Sequence, residues 1–117
     1  MIGLNEIRAI AMASPQVEEG PPVRVARRIA GFKVAGKSFL GVEEGGASIT
    51  VSLPENEARA ILADDDPKAY EQIWRNGKTF IGLRVDLSAI SADRVRDVIE
   101  RSWRHSAAAR RFRRQSV

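Results

Sequence analysis

The chain has 117 residues, no cysteine, and 19 Lys+Arg against 15 Asp+Glu, for a net charge of +4. That length suits a single domain, and 44% hydrophobic with 29% charged residues is the balance of a folded chain. Without cysteine there is no disulfide, thiolate nucleophile, zinc ribbon or iron–sulfur cluster, a pattern that fits a reducing, cytoplasmic setting. The charge is uneven. Residues 101–117 hold six arginines and no acid, whereas residues 1–100 hold 13 basic and 15 acidic residues, a balance of −2. The expectation is one domain over 1–117, slightly acidic in its body, with 107–117 as a basic, frayed tail.

Leu4, Ile7, Ile10 and Ala11 recur at helical spacing and predict a short helix over 4–13. Glu6 and Arg8 interrupt the apolar run, so it does not read as a signal peptide. Ser14-Pro15 ends the helix. Alternation through Val23, Val25, Phe32, Val34, Phe39, Ile49, Val51 and Leu53 predicts a three-strand meander over 23–53. Its turns fall at Ala35-Gly36-Lys37 and Glu43-Glu44-Gly45-Gly46. A second helix opens at Pro54 and closes at the aspartates 64–66, and a short helical piece follows over 68–74. Asn76-Gly77 marks a turn, and residues 79–87 read as a strand. Ser91 is a candidate N-cap. Val95, Val98, Ile99, Ser102, Trp103 and Ser106 then form one stripe of a last helix that runs to about Arg110. No stretch approaches the roughly 18 apolar residues of a membrane span. Local hairpins with helices between them predict an α+β fold: an antiparallel sheet with the N- and C-terminal helices packed on one face, a two-layer sandwich.

Gly31-Phe32-Lys33-Val34-Ala35-Gly36-Lys37-Ser38 satisfies the phosphate-loop pattern GxxxxGK[ST]. That loop works between a strand and a helix, where backbone N–H groups converge on phosphates. Here strand-like alternation fills the loop and no helix follows, so the match is rejected on context. The same segment carries another resemblance. Pro15-Gln16-Val17-Glu18-Glu19, the hairpin Phe32-Lys33-Val34-Ala35-Gly36-Lys37-Ser38-Phe39, Ile49 to Pro54-Glu55, Ile81 to Asp86, and Arg101-Ser102-Trp103-Arg104 resemble, in order, the motifs of the MmcQ/YjbR family. Lys78-Thr79-Phe80 stands where members of that family usually carry Gly-Trp. The resemblance implies a CyaY-like (frataxin-like) fold and a DNA-binding protein with two hairpin wings.

The fold implied by the resemblance raises iron binding through an acidic ridge on the first helix and strand. This first helix carries one acid, Glu6, and the first strand carries Arg24, Arg27 and Arg28. The expectation is therefore no metal and no cofactor, with Asp64 to Asp66 capping the short helix after them. His105, the single histidine, lacks a named partner or pocket for general-base work and reads as a solvated helix-end residue. Trp74 and Trp103 read as core or interface residues. No nucleophile elbow is present, so no enzyme is expected.

The basic residues are the functional lead. Arg24, Arg27 and Arg28 fall on the first strand, Lys33 and Lys37 flank the first hairpin turn, and Arg75 and Lys78 flank Asn76-Gly77. Strand spacing puts Lys33 and Lys37 on one side unless the Gly36 turn breaks the parity. Arg110, Arg111, Arg113 and Arg114 cluster at the end. The leading expectation is a small DNA-binding protein that contacts the phosphate backbone with little sequence preference, with no membrane partner. The alternative is a non-catalytic module that binds a protein or small molecule on its open sheet face, which exposed apolar residues there would favour.

Overall fold

The structure is a computed structural model describing residues 2–20, 28–43 and 45–115; for Arg28 and residues 109–115 it describes the backbone alone. Helix α1 (Leu4–Met12) leads into strand β1 (Val17–Glu19). Three strands follow: β2 (Arg28–Val34), β3 (Lys37–Glu43) and β4 (Ser48–Ser52). Helix α2 (Glu55–Asp64) and a 3-10 turn (Pro67–Ala69) connect to β5 (Tyr70–Arg75) and β6 (Thr79–Asp86), and helix α3 spans Ala92–Gln115. All strand pairings are antiparallel, in the order β1-β2-β3-β4-β6-β5. The fold is α+β, an open six-stranded sheet with helices at both ends of the chain.

Cross-strand partners share a face, so the register sorts the sheet into two sides. Phe32↔Leu40, Leu40↔Val51 and Val51↔Leu83 lie on one side, joined by Val42↔Ile49 and Ile49↔Val85. All are buried, and one hydrophobic core unites them with Ile7 and Ala11 of α1, Ala58 and Ile61 of α2, and Val95, Val98 and Ile99 of α3. The other side carries Gly31, Gly41, Thr50 and Arg84 in a row. Arg84 there reaches Glu43 at 2.7 Å and Glu71 at 2.8 Å.

The stripe expected on the last helix is the buried one: Val95, Val98, Ile99, Ser102 and Ser106 are all in the interior. The Ser91 hydroxyl accepts from the Arg94 N–H at 3.2 Å, as an N-cap does. Ser102 Oγ accepts from the Ser52 N–H (3.0 Å) and faces the carbonyls of Phe39 (2.6 Å) and Ser52 (2.7 Å). Phe39 is the extra residue of a bulge, since Phe32 pairs with Leu40 and Lys33 with Ser38. One hydroxyl thus ties α3 to a bulge in β3 and to the end of β4.

Three expectations change. The segment 68–74 is mostly a strand: Tyr70, Ile73 and Trp74 sit at helix-compatible spacing, but these β-forming side chains pair with β6 through the Asn76-Gly77 turn. Val17–Glu19, which carries no strand in the sequence reading, pairs with β2 after Gln16 takes φ +61°. Helix α3 continues past Arg110 to Gln115. Residues 23–27 of the predicted first strand lie outside the described residues.

Behind the sheet, the Tyr70 hydroxyl donates to Asp65, which Arg94 Nε also contacts at 2.7 Å; Arg94 and Arg101 meet again on Asp97. Of the three aspartates 64–66, Asp66 does cap, accepting from the Lys68 N–H at 3.0 Å, while Asp65 is spent on this network. Burial pushes the Asp65 carboxyl up, but Tyr70 and Arg94 together outweigh it and hold the carboxyl below its usual range. Burial and the Asp65 hydrogen bond push the Tyr70 hydroxyl up to about 12. A tyrosine raised above its unfolded pKa of about 10 contributes stability that is full below pH 10 and lost as pH climbs towards 12. Tyr70→Phe is therefore expected to flatten the stability loss between pH 10 and 12 in urea titrations, at a cost of about 1 kcal/mol at neutral pH.

Candidate nucleic-acid interface

Strands β3 and β6 both run antiparallel to β4 and both begin where β4 stops, at Ser52. The β2–β3 and β5–β6 turns therefore project from the same end of the sheet, with the end of β4 between them. Each turn places two residues at positive φ: Ala35 (51°) and Gly36 (83°) in one, Asn76 (53°) and Gly77 (67°) in the other. That is the backbone handedness that matches the twist of paired strands. The Gly31–Ser38 segment is thus two paired strands and a tight turn, with no loop-to-helix cradle for phosphate.

Lys33 and Lys37 flank the first turn but lie on opposite faces. Lys33 pairs with Ser38 and Lys37 with Val34, so the two-residue turn reverses the parity of regular strand spacing. Lys37 falls on the helix side and Lys33 on the open side. Arg75 and Lys78 flank the second turn, joined by the Lys78 N–H to Arg75 carbonyl bond at 3.0 Å. Arg28 pairs with Glu43, at the end of the sheet remote from both turns, so the structure does not bring it to the lysines. Arg24 and Arg27 lie outside the described residues. Arg110, Arg111, Arg113 and Arg114 lie on the backbone of α3, and their side chains are likewise outside what is described.

Charge pairing distinguishes these cations from most of the body's other basic residues, with Lys68 and Arg104 likewise outside any ion pair among the described residues. Arg8, Arg59, Arg84, Arg94, Arg96 and Arg101 each contact a carboxylate. Lys33, Lys37, Arg75 and Lys78 form no ion pair among the described residues. The middle of the open face, by contrast, is neutralised by the Glu43–Arg84–Glu71 bridge and built of small and polar side chains. Among the described strand residues, Ile29 of β2 is a large apolar side chain left 40% exposed, the kind of residue that the protein-binding alternative calls for.

Between the two hairpins lies an open groove of about 730 Å³. Lys37 and Ser38 line one wall, Arg75 and Phe80 the other, and Ser52 and His105 the region between. His105 was expected to be solvated, but it is half-buried. Burial lowers its pKa, the nearby Lys37 lowers it further, and Glu57 of α2 acts in the opposite sense. Sequence reasoning placed His105 near a helix end and could not see that α3 carries it under this groove.

Trp74 departs from expectation too. It is 42% exposed, with its ring edge-to-face on Phe80 at 5.2 Å and its indole N–H donating to Gln72 at 3.1 Å. Trp103, by contrast, packs against the core and donates to the Pro15 carbonyl at 3.1 Å, holding the turn after α1. Among the described residues no group of three or more acidic or histidine side chains is placed to hold a metal, and no helix is long and apolar enough to cross a membrane.

No curated protein and no solved structure matches the chain. The YjbR family model matches residues 12–105, a span that runs from the end of α1 through both hairpins to the histidine of the groove. The chain belongs to the MmcQ/YjbR family.

Proposed function

We propose that this protein is a non-catalytic, cytoplasmic DNA-binding protein whose two hairpins contact the phosphate backbone. One observation carries the reading: Lys33, Lys37, Arg75 and Lys78, which form no ion pair among the described residues, flank two turns at one end of the sheet. Arginine and lysine held on rigid hairpins suit phosphate contacts, which position a protein without reading sequence. The family resemblance points the same way, and the Arg110–Arg114 cluster supplies a second cationic element on the last helix.

On a duplex that spans both turns, phosphate contacts from Lys33 and Lys78 give a slope of about −1.8 in log affinity against log salt, so raising salt from about 50 to 200 mM weakens their contribution roughly 12-fold. Fluorescence anisotropy with labelled duplex DNA across that range is the measurement. The double variant Lys33→Ala/Lys78→Ala is expected to reduce the slope by about 2. Absence of binding to both duplex and single-stranded DNA at ~50 mM salt defeats the proposal. Neutralising Arg110, Arg111, Arg113 and Arg114 to glutamine measures the contribution of the last helix separately.

A further inference from the structure

We propose that the groove between the hairpins takes a single unpaired DNA strand, with phosphate held by Lys37, Arg75 and His105 and a base lying against Phe80. The inference rests on the DNA-binding reading and adds which form of DNA enters the groove.

Three observations converge. First, the hairpin cations divide into two sets: Lys37 and Arg75 line the groove, whereas Lys33 and Lys78 do not. A rod-like duplex that spans both turns meets the second set, while only something thin reaches the first. Second, the gap is set by the sheet. One strand, β4, separates β3 from β6, so their backbones lie two strand spacings apart, ~9.6 Å. That is narrower than the major groove alone of a B-form duplex, at about 12 Å. Third, the lining joins Lys37, Arg75 and His105 to serine hydroxyls and to an apolar surface that includes the rings of Phe39 and Phe80. A cationic channel with an aromatic wall is the chemistry that holds single strands without sequence preference, since every base has a π-face. Phe80 also stands edge-to-face with the Trp74 ring, 5.2 Å between centroids. The charged groups around His105 are Lys37 from β3 and Glu57 from α2, with Arg75 of β5 on the same groove. A phosphate there favours the protonated imidazole against the burial that now opposes it.

The test uses the full chain, a labelled ten-nucleotide oligothymidine, and a labelled duplex of equal length at one salt concentration. The single strand is expected to bind about ten-fold more tightly than the duplex. Lys37→Ala/Arg75→Ala should weaken single-strand binding at least ten-fold while changing duplex binding less than two-fold, and Lys33→Ala/Lys78→Ala should do the reverse. Phe80→Leu, which keeps the apolar packing, should weaken the single strand by about ten-fold. Binding of the single strand should tighten from pH 7.5 to 5.5, and His105→Gln should remove that change; a pH-independent affinity removes His105 from the site. Duplex binding equal to or stronger than single-strand binding overturns the inference and leaves the DNA-binding reading standing. Binding of neither overturns both.

Discussion

Replacing Gly82 with alanine is expected to destabilise the protein by about 4 kcal/mol or more, lowering its melting temperature by roughly 15 °C. A Cβ at this position lands 1.8 Å from the Val51 carbonyl oxygen and 2.9 Å from its carbon. Both are backbone atoms of the neighbouring strand, so no rotamer change can relieve the overlap. The two strands must separate, and they do so at the one seam that joins the β1–β4 meander to the β5–β6 hairpin. Gly82 follows the bulge at Ile81, where Ile73 pairs with Gly82 and Trp74 with Phe80. Thermal unfolding followed by far-ultraviolet circular dichroism measures the effect. A melting temperature within about 3 °C of the parent contradicts this account. Gly31, which has open space around the same construction, is the matched control, and alanine there should be tolerated to within about 1 kcal/mol.

Ser102→Ala is expected to cost about 2 kcal/mol, seen as a lower urea midpoint with an unchanged slope. The substitution is small, but it removes the acceptor for the Ser52 N–H and the single O–H proton that the Phe39 and Ser52 carbonyls share. Those groups lie between α3 and the sheet, where water cannot replace the hydroxyl without opening the packing. The Phe39 carbonyl belongs to a bulged residue outside the ladder pairing, and that is why a helix side chain serves it. Because Ser52 and Phe39 also line the groove, local opening there should raise amide exchange at Ser52 before the rest of β4.

Much of this architecture is legible in the residues. Alternation marks β2 to β4, the Ser91 cap and the apolar stripe of α3 mark the last helix, and the match to GxxxxGK[ST] is rightly set aside because its context is a hairpin. Where reading fails, distant pairing decides. Tyr70, Ile73 and Trp74 satisfy both periods, and only their partner β6 chooses the strand. Val17–Glu19 is too short to show a period at all. Gly82 announces a close approach, as a glycine inside a strand does, without naming Val51 as the neighbour. For the candidate site, the cations were visible one by one. Their division into two sets was not, because it depends on a turn that reverses parity and on a helix that carries His105 to the hairpin ends of β3 and β6.

An open sheet has two outer strands, and each is a template on which a second copy of the chain can build. Here one is β1, three residues long with Glu18 and Glu19 exposed and Glu19 held by Arg8 at 2.7 Å. The other is β5, where exposed Glu71 and Arg75 bracket the strand and the register slips beside Trp74. Short length, fixed charge and a local irregularity are the devices by which natural sheets resist growing edge to edge. These devices act against edge-to-edge growth, the kind of assembly that would bury the hairpins at the end of the sheet.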